Sequence, residues 1–113
     1  MNTIIITGNL VRDPEIRQLQ SGKTVCNFTI ANSRKWKNEY GDEQEDVCFI
    51  DCKAFGRTAE TIGQYLKKGR PVLIDGRITQ DKWQDENGNN RSKHVITVGR
   101  FEFIGCKDNG GAE

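Results

Sequence analysis

The chain has 113 residues, 35% of them hydrophobic and 29% charged, with 12 glycines against 2 prolines; this suits one turn-rich, mostly β globular domain and excludes a disordered chain or two separate cores. The formal net charge of +1 excludes a broadly basic surface as the basis of polyanion binding, so local clustering would have to supply it. The opening ten residues, Met1 to Leu10, carry no cationic leader region and only a short apolar run, so neither a signal peptide nor a membrane span is expected, and a cytoplasmic protein is.

Thr3 to Leu10 reads as a strand ended by Gly8-Asn9, and the run Ile4, Ile5, Ile6 points to both of its faces. Burial on both sides in so small a domain implies self-association through this strand. Asp13-Pro14 marks a turn, Ile16 to Leu19 resumes an extended pattern, and Ser21-Gly22 turns again. Val25 to Asn32 alternates, with Cys26, Phe28 and Ile30 on the apolar side. It runs into the polar segment Asn32 to Asp42, a hairpin loop or ribbon tip in which Trp36 has Arg34, Lys35 and Lys37 within two residues. A tryptophan among cations suits stacking on bases beside phosphates; the alternative is a ring folded over the loop's own aliphatic stems.

Val47 to Gly56 is the most informative stretch. With the period of a strand, Cys48, Ile50, Cys52 and Ala54 make a core face, while Phe49, Asp51, Lys53 and Phe55 set two large aromatics around two charges on the side facing water. Those rings either cover a loop or subunit contact, or form a platform on which flat ligands stack. Arg57 to Lys68 has Ala59, Ile62, Tyr65 and Leu66 at helical spacing, with Thr58 as the expected N-cap and Gly69 at the C-terminal cap. Lys67, Lys68 and Arg70 would complement the helix dipole or meet a ligand.

Val72 to Lys82 starts as a doubly apolar strand with a bend or bulge at Gly76 and then leaves the core. Trp83 precedes a turn over Asp85 to Asn90, whose Asn87-Gly88 is a strong hairpin signal, and Arg91 to Ile104 returns with a break at Gly99. Trp83 would stand on the stem of a long hairpin beside Lys82, facing Arg91 and Lys93. Cys26, Cys48, Cys52 and Cys106 contain no C-x-x-C pair, so reduced, buried thiols are expected rather than a metal site. His94 is the only histidine, with no nucleophile or ligand constellation near it in sequence. Glu43, Glu45 and Asp46 read as a solvated loop run, so no enzyme and no cofactor are expected. The element order is that of the five-stranded oligonucleotide-binding (OB) barrel, with one helix between the third and fourth strands and long projecting hairpins.

Four ordered motifs then carry a resemblance: G-N-L-V-R-D-P-E-I-R from Gly8, A-F-G-R-T-A-E from Ala54, Y-L-K-K-G from Tyr65 and D-G-R-I from Asp75. Together, over Met1 to Ile104, they resemble the bacterial single-stranded DNA-binding protein family. The resemblance implies an OB-fold domain over residues 1–105 and a short flexible remnant over 106–113. It also implies sequence-independent binding and protection of single-stranded DNA in replication, recombination and repair, in the cytoplasm at the nucleoid. Four aromatics per subunit stack on bases in that family, and the matching positions are Trp36, Phe49, Phe55 and Trp83. Arg57 and Lys68 match basic family positions; Arg34, Lys35, Lys53, Arg77 and Lys82 join them as phosphate contacts because they lie near the aromatics.

A homotetramer, with first strands paired through the Ile4–Ile6 region, is implied in the same way. Asp51, Thr79 and Asp81 stand where family members place arginines, which leaves stacking to contribute more. The family's long acidic C-terminal tail has no counterpart in Asp108 to Glu113, so recruitment of replication and repair proteins is not inferred. Single-stranded RNA remains an alternative ligand, because stacking does not test for a 2′-hydroxyl.

Overall fold

Strand alternation dominates the architecture seen in the structure, a computed structural model that describes residues 1–104. The remnant expected over 106–113 lies outside the described residues. In chain order the elements are β1 (Ile4–Leu10), β2 (Glu15–Gln18), β3 (Thr24–Lys37), β4 (Glu43–Phe55), α1 (Gly56–Tyr65), β5 (Pro71–Gln84) and β6 (Asn90–Phe103). β1 pairs with β5, β5 with β6, β6 with β4 and β4 with β3, and a further β1–β3 pairing closes the ring. The result is a closed five-stranded OB barrel. β2 is an addition on β3, registered from Glu15 opposite Asn27 to Gln18 opposite Thr24. Counted on the barrel strands, the helix falls between the third and fourth, as the element order predicts.

Two kinds of join hold the barrel. The β3–β4 ladder runs from Val25–Phe55 to Lys37–Glu43, and the β5–β6 ladder from Val72–Phe103 to Gln84–Asn90. The closures are far shorter: Asn9–Ala31 and Leu10–Ile30 between β1 and β3, and the parallel Cys52–Ile96 and Lys53–Thr97 between β4 and β6. Inward side chains alternate as the period of two requires: Cys26, Phe28 and Ile30 from β3, Cys52 and Ala54 from β4, Val72 and Ile74 from β5, Ile96 and Val98 from β6. Helix α1 closes one end with Ala59 and Ile62, and Leu66 just after it completes the plug, each fully buried. Burying such side chains contributes about 1.5–3 kcal/mol apiece.

Several local expectations change. Gly8-Asn9 lies inside β1 rather than ending it, because here the strand takes β3 as a second partner while keeping β5. A Cβ on Gly8 would stand 2.8 Å from the Ala31 carbonyl oxygen, so glycine is what permits the approach. The helix spans Gly56–Tyr65 with Phe55 at the N-cap position and no side-chain cap; Thr58 is not the cap, since the chain turns directly from β4 at Gly56, φ +64°. Gly69 does not cap the helix either. It sits in the turn leading to β5, where its N–H donates to the Leu10 carbonyl at 2.8 Å, and the last helical turn contains no basic residue.

Gly76 does mark a bulge: Asp75 pairs with Arg100 but Gly76 with Val98, leaving Gly99 over. Ile4 and Ile6 pack against the core while Ile5 is exposed, so the isoleucine run does present both faces. Cys26 and Cys52 are buried free thiols, but Cys48 is exposed. The expected core face ends before Cys48 because β3 and β4 run on past the barrel as a two-stranded ribbon. Glu43, Glu45 and Asp46 belong to that ribbon, opposite Lys37, Lys35 and Arg34, and not to a loop. Among the described residues no helix is long and apolar enough to cross a membrane.

Candidate nucleic-acid interface

The outward face of β4 carries Phe49, Asp51, Lys53 and Phe55, opposite Ala31, Thr29, Asn27 and Val25 of β3. On the hairpin β5–β6, Thr79, Asp81 and Trp83 face Val95, Lys93 and Arg91. Contacts across the β4–β6 closure join these two faces into one surface: Lys53 Nζ lies 2.7 Å from Asp81 Oδ2, and Lys93 Nζ lies 2.9 Å from Asp51 Oδ2. Thr79 and Thr97 add a hydroxyl pair at 2.9 Å. A groove of about 620 Å³ runs over this junction, lined by Phe55, Asp51, Lys53, Asp81 and Lys93 among others.

Phe49 is 66% exposed and Trp83 46%. Exposure of that size leaves ring faces open to a flat ligand. Phe55, more enclosed, has Lys23 Nζ 5.4 Å from its ring centroid, a cation–π geometry. Trp36 stands apart. Strand alternation and the Trp36–Gln44 pairing put it on the opposite side of the β3–β4 ribbon from Phe49, and its indole N–H donates to Asp46 Oδ2 at 3.1 Å. The ring is therefore held on the ribbon by its polar edge rather than folded into a loop.

The cations divide the same way. Lys35 and Arg77 share the outward parity of Phe49 and Trp83, while Arg34 and Lys82 share the opposite faces of their strands with Trp36 and Gln80 respectively. Arg57 is exposed in the first turn of α1. Lys68 lies in the turn after the helix, its backbone N–H donating to Asp13 Oδ1 at 2.8 Å, and it does not line the groove. Lys53 is in the groove but paired with a carboxylate. Arg12 and Lys23 were not singled out by the sequence reading. Arg12 Nη2 donates to Thr29 Oγ1 at 3.4 Å inside the groove, while Lys23 lies over Phe55; both sit in loops outside the strands, where alternation gives no direction.

Asp51 and Asp81, at positions where the resemblance expects arginines, have become partners for lysines on neighbouring strands. The Asp51 carboxyl is held below its ordinary range, first by the Thr29 hydroxyl donating to Oδ1 at 2.7 Å and then by Lys93. Burial pushes the Cys26 thiol up to about 11 and that of Cys52, with help from the Asp51 charge, up to about 12. These thiols stay protonated and inert at neutral pH. His94 is exposed on β6, and among the described residues no three His, Cys, Asp or Glu side chains cluster to hold a metal ion. What the surface offers chemically is ring faces among largely compensated charges.

Closed barrel, end-plugging helix, two projecting ribbons and outward rings together define a class, the OB-fold binding domains. The particular family is fixed by comparison: the profile of the single-strand binding protein family matches residues 1–104, and the chain belongs to that family. It is similar to the single-stranded DNA-binding protein of Helicobacter hepaticus, 44% identical over 109 residues that cover 96% of this chain and 64% of that protein. The protein of the same name from Wolinella succinogenes is 43% identical over 106 residues, covering 94% of this chain and 65% of the relative. The chain thus spans just under two thirds of the length of these relatives.

Among solved structures, a Plasmodium falciparum SSB complex with ssDNA superposes with a TM-score of 0.84 at 22% identity, covering 93% of this chain and 96% of that one. A deletion mutant of the single-stranded DNA binding protein from Thermus aquaticus gives 0.80, also at 22% identity, over 93% of this chain and 51% of that one. Both establish the fold.

Proposed function

We propose that this chain is a non-enzymatic, sequence-independent binder of single-stranded DNA that covers exposed strands during replication, recombination and repair. The observation that carries the reading is the pair of open rings, Phe49 on the outer face of β4 and Trp83 on the β5–β6 hairpin, on two faces that the Lys53–Asp81 and Lys93–Asp51 contacts join. The names of its relatives support it. Every base has a π-face, so stacking captures bases without reading them; a duplex hides those faces and should bind poorly. Phe55 would extend the stack within the groove, and Trp36 would meet the strand on the far side of its ribbon. Arg34, Lys35, Arg57, Arg77 and Lys82 would track the backbone around them. Lys53 is the weaker candidate, being paired with Asp81, and Lys68 would act from the turn after the helix.

Residues 1–105 would form the binding domain of a homotetramer working in the cytoplasm at the nucleoid. Between Ile4 and Gly8 the strand β1 has β5 on one side and, among the described residues, no strand on the other, so a second copy could pair there with Ile5 against it.

The test is tryptophan fluorescence during titration with oligo-dT and with duplex DNA of equal length. Strong quenching by the single strand and little by the duplex is expected; an unquenched, folded protein would refute the reading. Sedimentation of the free chain decides the tetramer.

A further inference from the structure

We propose that Asp51 and Asp81 are built-in competitors for the backbone of the bound strand, holding Lys93 and Lys53 in ion pairs across the groove so that its central cations are withheld from phosphate. The inference rests on the single-strand reading above and extends it to what sets the strength and salt response of binding.

Both pairs join different strands. Lys53 of β4 meets Asp81 of β5 at 2.7 Å, and Lys93 of β6 meets Asp51 of β4 at 2.9 Å. Asp51 is also fixed by the Thr29 hydroxyl on its other oxygen, so it cannot swing away without losing a second bond. The Lys53–Asp81 side chains are only 25% and 32% exposed, and a pair so sheltered is screened less by salt than one on an open surface. A phosphate reaching Lys53 must either part it from Asp81 or settle beside that carboxylate, like charge against like. By contrast, among the described residues Arg57, Arg77 and Lys82 take part in no ion pair. Of the cations lining the groove, Lys53 and Lys93 are held by carboxylates, whereas Arg12 and Arg17 take part in no ion pair among the described residues. A strand crossing the β4–β6 junction is held there by its bases, and its phosphates contribute counterion release mainly at the unpaired cations to either side.

The experiment titrates oligo-dT into the unsubstituted chain, Asp81→Asn, Asp81→Asn with Lys53→Gln, and Glu60→Gln, each at several salt concentrations. Urea unfolding confirms that each is folded. Asp81 is the chosen site because, unlike Asp51, its only side-chain bond among the described residues is to Lys53. Asp81→Asn is expected to raise affinity at low salt by up to about fivefold and to steepen the salt slope by about 0.7 as Lys53 becomes free for a phosphate. Adding Lys53→Gln should return the slope to that of the unsubstituted chain. Glu60→Gln, which removes the same charge from the exposed helix face, should leave the slope unchanged. Equal slopes for Asp81→Asn and the unsubstituted chain, or an equal gain in Glu60→Gln, would overturn the proposal. Failure of the single-strand reading shows itself differently: the unsubstituted chain would not respond to oligo-dT at all, and the proposal would fall with it.

Discussion

The barrel and the ribbons that leave it are made of the same strands but obey different rules. Within the barrel, β3 presents Cys26, Phe28 and Ile30 to a sealed interior, and glycine is kept where a Cβ would strike backbone, as at Gly8 and Gly76. Beyond it, from Asn32 to Lys37 and from Glu43 to Cys48, almost every residue is exposed, and acids on β4 face bases on β3. Stability resides in the first region; of the open rings, Trp83 stands on an extension, while Phe49 lies on the outer face of β4 at the edge of the barrel, opposite Ala31. The contrast teaches that exposed aromatics need not weaken a fold when they stand on outward faces or extensions that contribute little to the core.

Substitutions can break that division or sharpen it. Ile74→Ala, in the fully buried core, should cost about 2–5 kcal/mol of stability in urea unfolding. Phe49→Ala should reverse the pattern, with stability within about 0.5 kcal/mol of the parent and oligo-dT affinity lower by about 1–3 kcal/mol, the range known for single-strand binders of this kind. A Phe49→Ala protein that unfolds easily would show that the outer face of β4 supports the barrel after all.

A smaller effect is expected in acid. The folded-state pKa of Asp51 lies below its ordinary 3.8, so its contribution to stability is present above that value and declines as pH falls through the folded one. Thr29→Ala removes the first cause of the shift and should flatten this acid limb in denaturation measured from pH 5 downward. The mildest probe is a thiol reagent in native buffer: peptide mapping should find Cys48 labelled well before Cys26 and Cys52, which should react only when the barrel opens.

Much of this division was legible in the residues, and the failures share a cause. Alternation located the strands, the face bearing Phe49 and Phe55, the bulge at Gly76 and the hairpin turn, where Gly88 takes φ +80°. Alternation says which way a side chain points, not how far the core extends, so Cys48 was placed inside when its strand had already left the barrel. Helix ends were misjudged for a related reason. Leu66 belongs to the helical apolar pattern, but the chain has turned extended there so that Gly69 and Arg70 can bond with Leu10 of β1. The groove's ion pairs were out of reach because they depend on register across β4 and β6, strands separated by a helix and another strand. Four aromatics could be named from sequence, but that Trp36 faces away from Phe49 required the ladder.

The two short closures have a mechanical consequence. Within the one closed sheet, β1, β5 and β6 make one half and β3 with β4 the other, and two registered pairs at each edge stitch the halves together. Such an object behaves as a clamshell with two brief hinges, and at one hinge Lys53–Asp81 and Lys93–Asp51 act as clasps. Amide exchange should accordingly be faster along the Cys52–Ile96 edge than inside either long ladder, and faster still once acid loosens the Lys93–Asp51 clasp.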